Sequence, residues 1–293
     1  MQSIHVNGVD LGVRTDGDPA HPALLLLHGA GHSSAAWDER FCARLAAGER
    51  FVIRLDSRDA GISTTYPPGQ PDYALRDLVA DVVGTLDALD VRSAHVLGMS
   101  QGAATAQLLA IEHPERVTSL ALHASTPGGP GHHNPDLPGP TQEINALFTA
   151  TPAEPDWSDR TAVIDHLVAA ERPFAAASRP FDLTATRALA TRLYEHARAI
   201  AAQVNNPFLI DAGAPWRDQL SSVHVSTVVF HGSDDPFLPP AHGEALSREI
   251  SGARFVSLPG TGHEIFPEHT WDTVLAVLAD LHRLPSRPRP RRG

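Results

Sequence analysis

No lysine occurs in the 293 residues; all 23 basic side chains are arginine. That absence excludes Schiff-base catalysis, pyridoxal attachment and a Walker-type phosphate loop, each of which needs a lysine amine. A single cysteine, Cys42, excludes an internal disulfide and any cysteine-built zinc or iron–sulfur centre. The net charge of −11 argues against a broad phosphate-binding surface, and so against nucleic acid as a partner. Apolar runs such as Ala23–Leu27 are far too short to span a bilayer, so no membrane partner is expected. The chain does not open on a basic stretch followed by an apolar one, and the expected location is the cytoplasm. With 42% hydrophobic and 19% charged residues, the chain is expected to fold as one large α/β domain or two small ones.

The pair Asn7-Gly8 between the alternating runs 4–6 and 9–13 reads as a hairpin. Ala23–Leu27 suits a strand buried on both faces. Further candidate strands are Phe51–Leu55, 94–97, 120–122, 227–230 and Arg254–Leu258. Helical periodicity covers 73–89 behind a capping Asp72, and 101–113 ahead of Pro114. This alternation predicts a mostly parallel sheet flanked by helices. The stretch after residue 125 differs. It opens with Gly- and Pro-rich loop sequence and continues with helix-like runs near Gln142–Thr149, Arg160–Glu171 and 184–202. The expected organisation is therefore an α/β core of residues 1–125 and 216–285, a helical cap at 126–215, and a disordered tail at 286–293.

The strongest chemical signal is Gly98-Met99-Ser100-Gln101-Gly102, placed directly after a candidate strand and directly before a candidate helix. A serine on so sharp a turn needs small neighbours, and the turn lifts its hydroxyl above the sheet edge. A serine hydroxyl is a weak nucleophile at neutral pH, so it needs a base and a carboxylate to orient that base. Asp234-Asp235-Pro236 follows the fifth strand and Gly260-Thr261-Gly262-His263 follows the sixth, giving the order serine, acid, histidine. Asp235 is preferred over Asp234 because a following proline holds it extended. His263 stands out among seventeen histidines by position, whereas His95, His113 and His166 read as surface or packing residues.

An acyl-transfer site also needs two donors for the oxyanion. The Gln101 amide is one candidate, and the His28–His32 loop supplies the other, with Ala30 preferred. Gly29, His32 and Met99 lie beside these groups and are candidate substrate contacts. Phe148, Trp157, Phe174, Phe181, Tyr194, Phe208 and Trp216 are candidate pocket walls, with two or three expected to face substrate. The adjacent His132-His133 invites a metal reading, but a Pro-Gly loop is a poor ligand frame and no metal is expected.

His28-Gly29, the loop from Asp56 to Ser63, the 98–102 turn, the run from Gly232 to Pro236 and Gly262-His263 together resemble the α/β-hydrolase superfamily over essentially the whole chain. Residues 41–90, with Arg58-Asp59 and Tyr66-Pro67-Pro68-Gly69, are similar to bacterial esterases of polyketide antibiotics, the anthracycline (aclacinomycin) methylesterases and the macrolide esterases. The resemblance implies an α/β-hydrolase fold with a helical cap, no cofactor, and an oxyanion donor at Ala30. His28 and Ala103 depart from common residues of these relatives. Epoxide hydrolases and haloalkane dehalogenases share the fold but use a carboxylate nucleophile where this chain has Ser100.

The expected activity is serine-ester hydrolysis of a hydrophobic small molecule, a macrolactone or polyketide methyl ester, by a monomer or homodimer. Alternatives are a cofactor-free haloperoxidase, a carbon–carbon bond hydrolase on the same triad, or a ligand-binding protein on a hydrolase scaffold.

Overall fold

Asn7 and Gly8 both take positive φ, 52° and 78°, the turn geometry whose twist matches paired strands. They join β1 (Gln2–Val6) to β2 (Val9–Asp16) as an antiparallel pair. The computed structural model describes residues 1–129, 131–132, 134–150 and 153–283. The stretch read as a tail, and His133, lie outside the described residues. After the hairpin the chain runs β3 (Ala23–Leu27), α1 (Glu39–Ala47), β4 (Phe51–Leu55), α2 (Leu75–Ala88), β5 (Ala94–Met99), α3 (Gln101–Glu112) and β6 (Val117–His123). Four helices follow: α4 (Gln142–Thr149), α5 (Arg160–Glu171), α6 (Leu183–His196) and α7 (Ile200–Asn205). The sheet resumes with β7 (Ser226–Gly232), α8 (Ala241–Glu249), β8 (Arg254–Leu258) and α9 (Trp271–Arg283).

The eight strands lie in the order β1-β2-β4-β3-β5-β6-β7-β8, with β2 antiparallel to β1 and β4 and every other pair parallel. β3 shows why its leucine run is unbroken. Leu24 and Leu26 pack on one side with Phe41 of α1 and Trp271 of α9, while Leu25 and Leu27 pack on the other with Leu78 of α2 and Leu108 of α3. From β3 the order runs outward in both directions. The carboxyl ends of β3 and β5 therefore meet at a topological switch point, the place where parallel α/β sheets open a crevice.

Two element boundaries differ from the sequence reading. α2 starts at Leu75, and Asp72 does not cap it. Ala74 is held extended by a bridge to Asp211, and the Asp77 carboxylate accepts its N–H at 2.7 Å. The helix expected at 184–202 is broken at Ala197, because the Arg198 N–H is taken by the Gly61 carbonyl at 2.7 Å. α1, α8 and α9 had no counterpart in the sequence reading.

The segment between β6 and β7 has a core of its own, Val163, Ile164, Leu167 and Val168 of α5 against Ala190 of α6 and Ile200 of α7. It meets the sheet through polar contacts. His196 bonds Asp56 at 2.8 Å, Gln203 donates to Gly31 O at 3.3 Å, and Asn206 donates to Asp59 at 3.0 Å.

Three histidines are locked into the body in the neutral form. Burial pushes His28, His95 and His123 down to about 4. The unfolded chain binds these protons first, near the ordinary value of about 6.5, so the stabilisation is complete above that pH and is lost as pH falls toward 4. Stability should drop by about 1.4 kcal/mol per pH unit for each such imidazole. Urea midpoints measured from pH 7 to pH 4.5 check this, and a flat midpoint would contradict the buried neutral rings.

Candidate active site

Ser100 occupies the turn between β5 and α3 with φ 50° and ψ −114°, a strained conformation for a residue with a side chain. Its neighbours explain the glycine spacing. A Cβ at Gly98 would stand 2.4 Å from Gly102 O, and one at Gly102 would stand 2.4 Å from Leu27 O. Only glycine lets β5, the turn and β3 approach so closely.

The turn aims Ser100 Oγ at His263, whose Nε2 lies 3.1 Å away. His263 Nδ1 donates to Asp235 Oδ2 at 2.8 Å, which leaves Nε2 free to accept the serine proton. Asp235 Oδ1 accepts the N–H groups of Phe237 and Leu238 at 3.0 and 2.8 Å. Burial pushes the Asp235 carboxyl up, but the charge and hydrogen bond of His263 outweigh it and hold it below the usual carboxylate range. Asp234 lies elsewhere. It accepts from Ser178 N–H at 3.2 Å and Ser233 Oγ at 2.7 Å, and it makes no bond to His263.

Gln101 opens α3 beside the serine, where first-turn amides have no partner within the helix. Gly29 and Ala30 lie across from it. A Cβ on Gly29 would sit 3.4 Å from Ser100 Cβ, and Ala30 lines the same cleft as Ser100 and Gln101. The departure at His28 has a local purpose. Its Nδ1 donates to Gly29 O at 2.8 Å while Nε2 accepts from Ser57 N–H and Oγ, pinning the loop to the end of β4.

The cleft over Ser100 is open to solvent and has a volume of about 200 Å³. Its walls are Leu75, Phe148, Pro207, Phe208, Ile210, Ala212 and Phe237, with no cationic side chain among them. The Phe237 ring meets the His263 ring edge-on at 5.0 Å and the Phe148 ring at 5.4 Å, so an aromatic wall runs from the exposed lip to the imidazole.

The other substrate-contact candidates fall elsewhere. Trp157 packs with the α5 core and donates to Glu154, Phe181 lies under Arg172 in a separate groove, and Trp216 is buried against α3 with its Nε1 donating to Gln107. These three are corrections: each ring is consumed by internal packing or by the second groove. His32 is buried and bonded at 2.9 Å to Glu171 of α5, and Met99 is buried beneath Gly29; neither lines the cleft. Burial opposes a charge on His32, but the Glu171 carboxylate more than offsets it and raises the imidazole above its ordinary value. Sequence reasoning missed Phe237, Leu75, Pro207, Ile210 and Ala212. Phe237 alone carried a signal, two residues beyond the chosen acid.

His132 places its ring nitrogens at Gly128 O and Gly213 O, and among the described residues no cluster of His, Cys, Asp or Glu has metal-ligand geometry. Among the described residues no helix is long and apolar enough to cross a membrane.

A serine, an imidazole and a carboxylate bonded in series at the ends of three strands are the equipment of a hydrolase. The chain belongs to the α/β-hydrolase fold family, whose model matches residues 22–270. It is 32% identical over 265 residues to rhodomycin D methylesterase DnrP of Streptomyces peucetius, covering 85% of this chain and 87% of that one. It is 30% identical over 253 residues to 2-hydroxy-6-oxo-6-phenylhexa-2,4-dienoate hydrolase of Comamonas testosteroni, covering 82% and 81%. Among solved structures it is similar to the enol-lactonase from Burkholderia xenovorans LB400, with a TM-score of 0.74, 25% identity, and coverage of 96% of this chain and 99% of that one.

Proposed function

We propose that this chain hydrolyses a neutral, apolar carboxylic ester of polyketide type, a methyl ester or macrolactone, through an acyl-enzyme on Ser100. His263 takes the Ser100 proton as Oγ attacks the ester carbonyl, and the amides of Ala30 and Gln101 hold the oxyanion. His263 then passes the proton to the leaving alcohol. Water repeats the sequence on the acyl-enzyme, and Asp235 keeps the imidazole in the accepting tautomer throughout.

The observation that carries this reading is the bonded Ser100–His263–Asp235 chain opening into a cleft with no cationic side chain among its described walls. The likeness to a rhodomycin D methylesterase supports the ester class. Carbon–carbon bond hydrolysis is the second reading, favoured by similarity to hydrolases of dienoates and dienedioates. Those substrates carry carboxylates, and a buried carboxylate without a partner is costly. Among the described residues the walls around Ser100 carry no cationic side chain to pair with one. The same property assists turnover of an ester, because the acid product is expelled from apolar walls.

Product analysis with a panel of anthracycline methyl esters, macrolactones and dicarboxylate dienes tests the choice. Neutral esters should exceed the dianions in kcat/KM by about 100-fold, the order expected when a charge must be buried unpaired. Equal or reversed rates would move the assignment to the carbon–carbon reaction. Stoichiometric labelling of Ser100 by a fluorophosphonate separates either enzyme from a mere binding scaffold.

A further inference from the structure

His263 sits in a segment, residues 259–267, that forms no strand or helix and contains Gly260 at φ 61°. Its register with Ser100 must therefore come from side-chain and loop contacts rather than from a strand or helix ladder. Several of the bonds that supply it converge on one side chain. Glu264 Oε1 accepts the N–H of Gly262 at 3.1 Å and the N–H of Ala176, in the inserted segment, at 3.0 Å. Glu264 Oε2 is paired with Arg179, whose Nε donates to Gly260 O at 2.8 Å. The His263 N–H itself donates to Phe174 O at 2.8 Å. On the opposite side His123 Nε2 donates to the Glu264 carbonyl at 2.7 Å.

We propose that Glu264 and Arg179 form a splint that holds His263 in register with Ser100 and ties that register to the seating of residues 174–179 on the sheet. The proposal rests on the reading of His263 as the general base. Glu264 is a positioning residue, acting through His263. Both charged groups are partly exposed, 24% for Arg179 and 20% for Glu264, so the pair contributes little as an ion pair alone. Its consequence lies in geometry. The carboxylate gathers two backbone donors and a guanidinium from both sides of the histidine, and a shift of the base by about 1 Å costs about 100-fold in rate.

The test compares Glu264→Ala, Glu264→Gln and Arg179→Met with Arg160→Met, which breaks an exposed ion pair to Glu195 within the inserted helices and serves as the control. Three readouts are taken per folded molecule: fluorophosphonate labelling rate, kcat and KM on an aryl ester, and the low-field proton of the His263–Asp235 bond by NMR. Glu264→Ala should lower kcat and labelling by about 30- to 100-fold, with KM changed by about threefold or less. Glu264→Gln should recover to about fivefold below the parent, because its amide oxygen still accepts both N–H groups; Arg179→Met should lose about tenfold. The low-field proton should weaken in Glu264→Ala and persist in the control.

Rates of Glu264→Ala and Arg179→Met both equal to the parent, with an unaltered low-field proton, would overturn the splint. Should Glu264→Ala not fold, Arg179→Met decides by the same criterion. A parent that fails to label Ser100 would sink the esterase reading, while the proton signal would still judge the splint.

Discussion

Ser100→Ala should abolish turnover of a simple aryl ester while leaving the thermal midpoint within a few degrees of the parent. In the proposed mechanism the Ser100 oxygen is the atom that bonds the carbonyl carbon, so its loss removes the covalent route. Removing such a nucleophile costs on the order of 10⁵- to 10⁶-fold in kcat, and what survives is the modest help of oxyanion donors and binding. The fold should tolerate the change. Alanine has the same backbone demands as serine at φ 50°, and among the described residues the side-chain bond lost is the one to His263 Nε2, at a cleft that opens to water. Steady-state rates, fluorophosphonate labelling and a melting curve on one preparation check the prediction. Retained activity would assign the nucleophile elsewhere.

Asp235→Asn should be far more damaging than Asp234→Asn, by about 10⁴-fold against less than about threefold. An asparagine at 235 satisfies Phe237 and Leu238 N–H through its oxygen and then presents its NH₂ to His263 Nδ1. The imidazole must answer with a lone pair at Nδ1, placing its proton on Nε2, where it faces Ser100 and cannot accept. Asparagine at 234 keeps an oxygen for Ser178 and Ser233 and touches nothing in the reaction. Purified variants assayed at saturating ester give the ranking directly. The reverse ranking would exchange the two aspartates.

The sheet was legible because its signals are local. The unbroken leucines 24–27 of β3 are what burial on both faces requires, and Asn7-Gly8 fits the two positive φ values of a tight hairpin. The turn that carries the candidate nucleophile was legible for the same reason, since Gly98 and Gly102 are demanded by contacts under 3 Å within one turn and its adjoining strand. His263 and Asp235 were reached from order and strand ends, and the proline after Asp235 separated it from Asp234. The pocket walls were not legible. Trp157, Phe181 and Trp216 look alike in sequence to Phe148, yet Trp216 is bonded to Gln107, 109 positions away, while Phe148 opens onto the cleft.

From the amino-acid order alone came a parallel α/β sheet, an inserted helical segment and three chemically matched side chains at three strand ends. These follow from periodicity, turn sterics and the chemical needs of a weak alcohol nucleophile, all of which act over a few residues. Only the tertiary structure decided which aromatics face the cleft, that no cationic side chain among the described residues lines it, that Glu171 holds His32 from 139 positions away, and that Arg179 and Glu264 are paired across 85. Such pairings arise when separate elements dock, and the identity of a docking partner is written nowhere in the local pattern of either one.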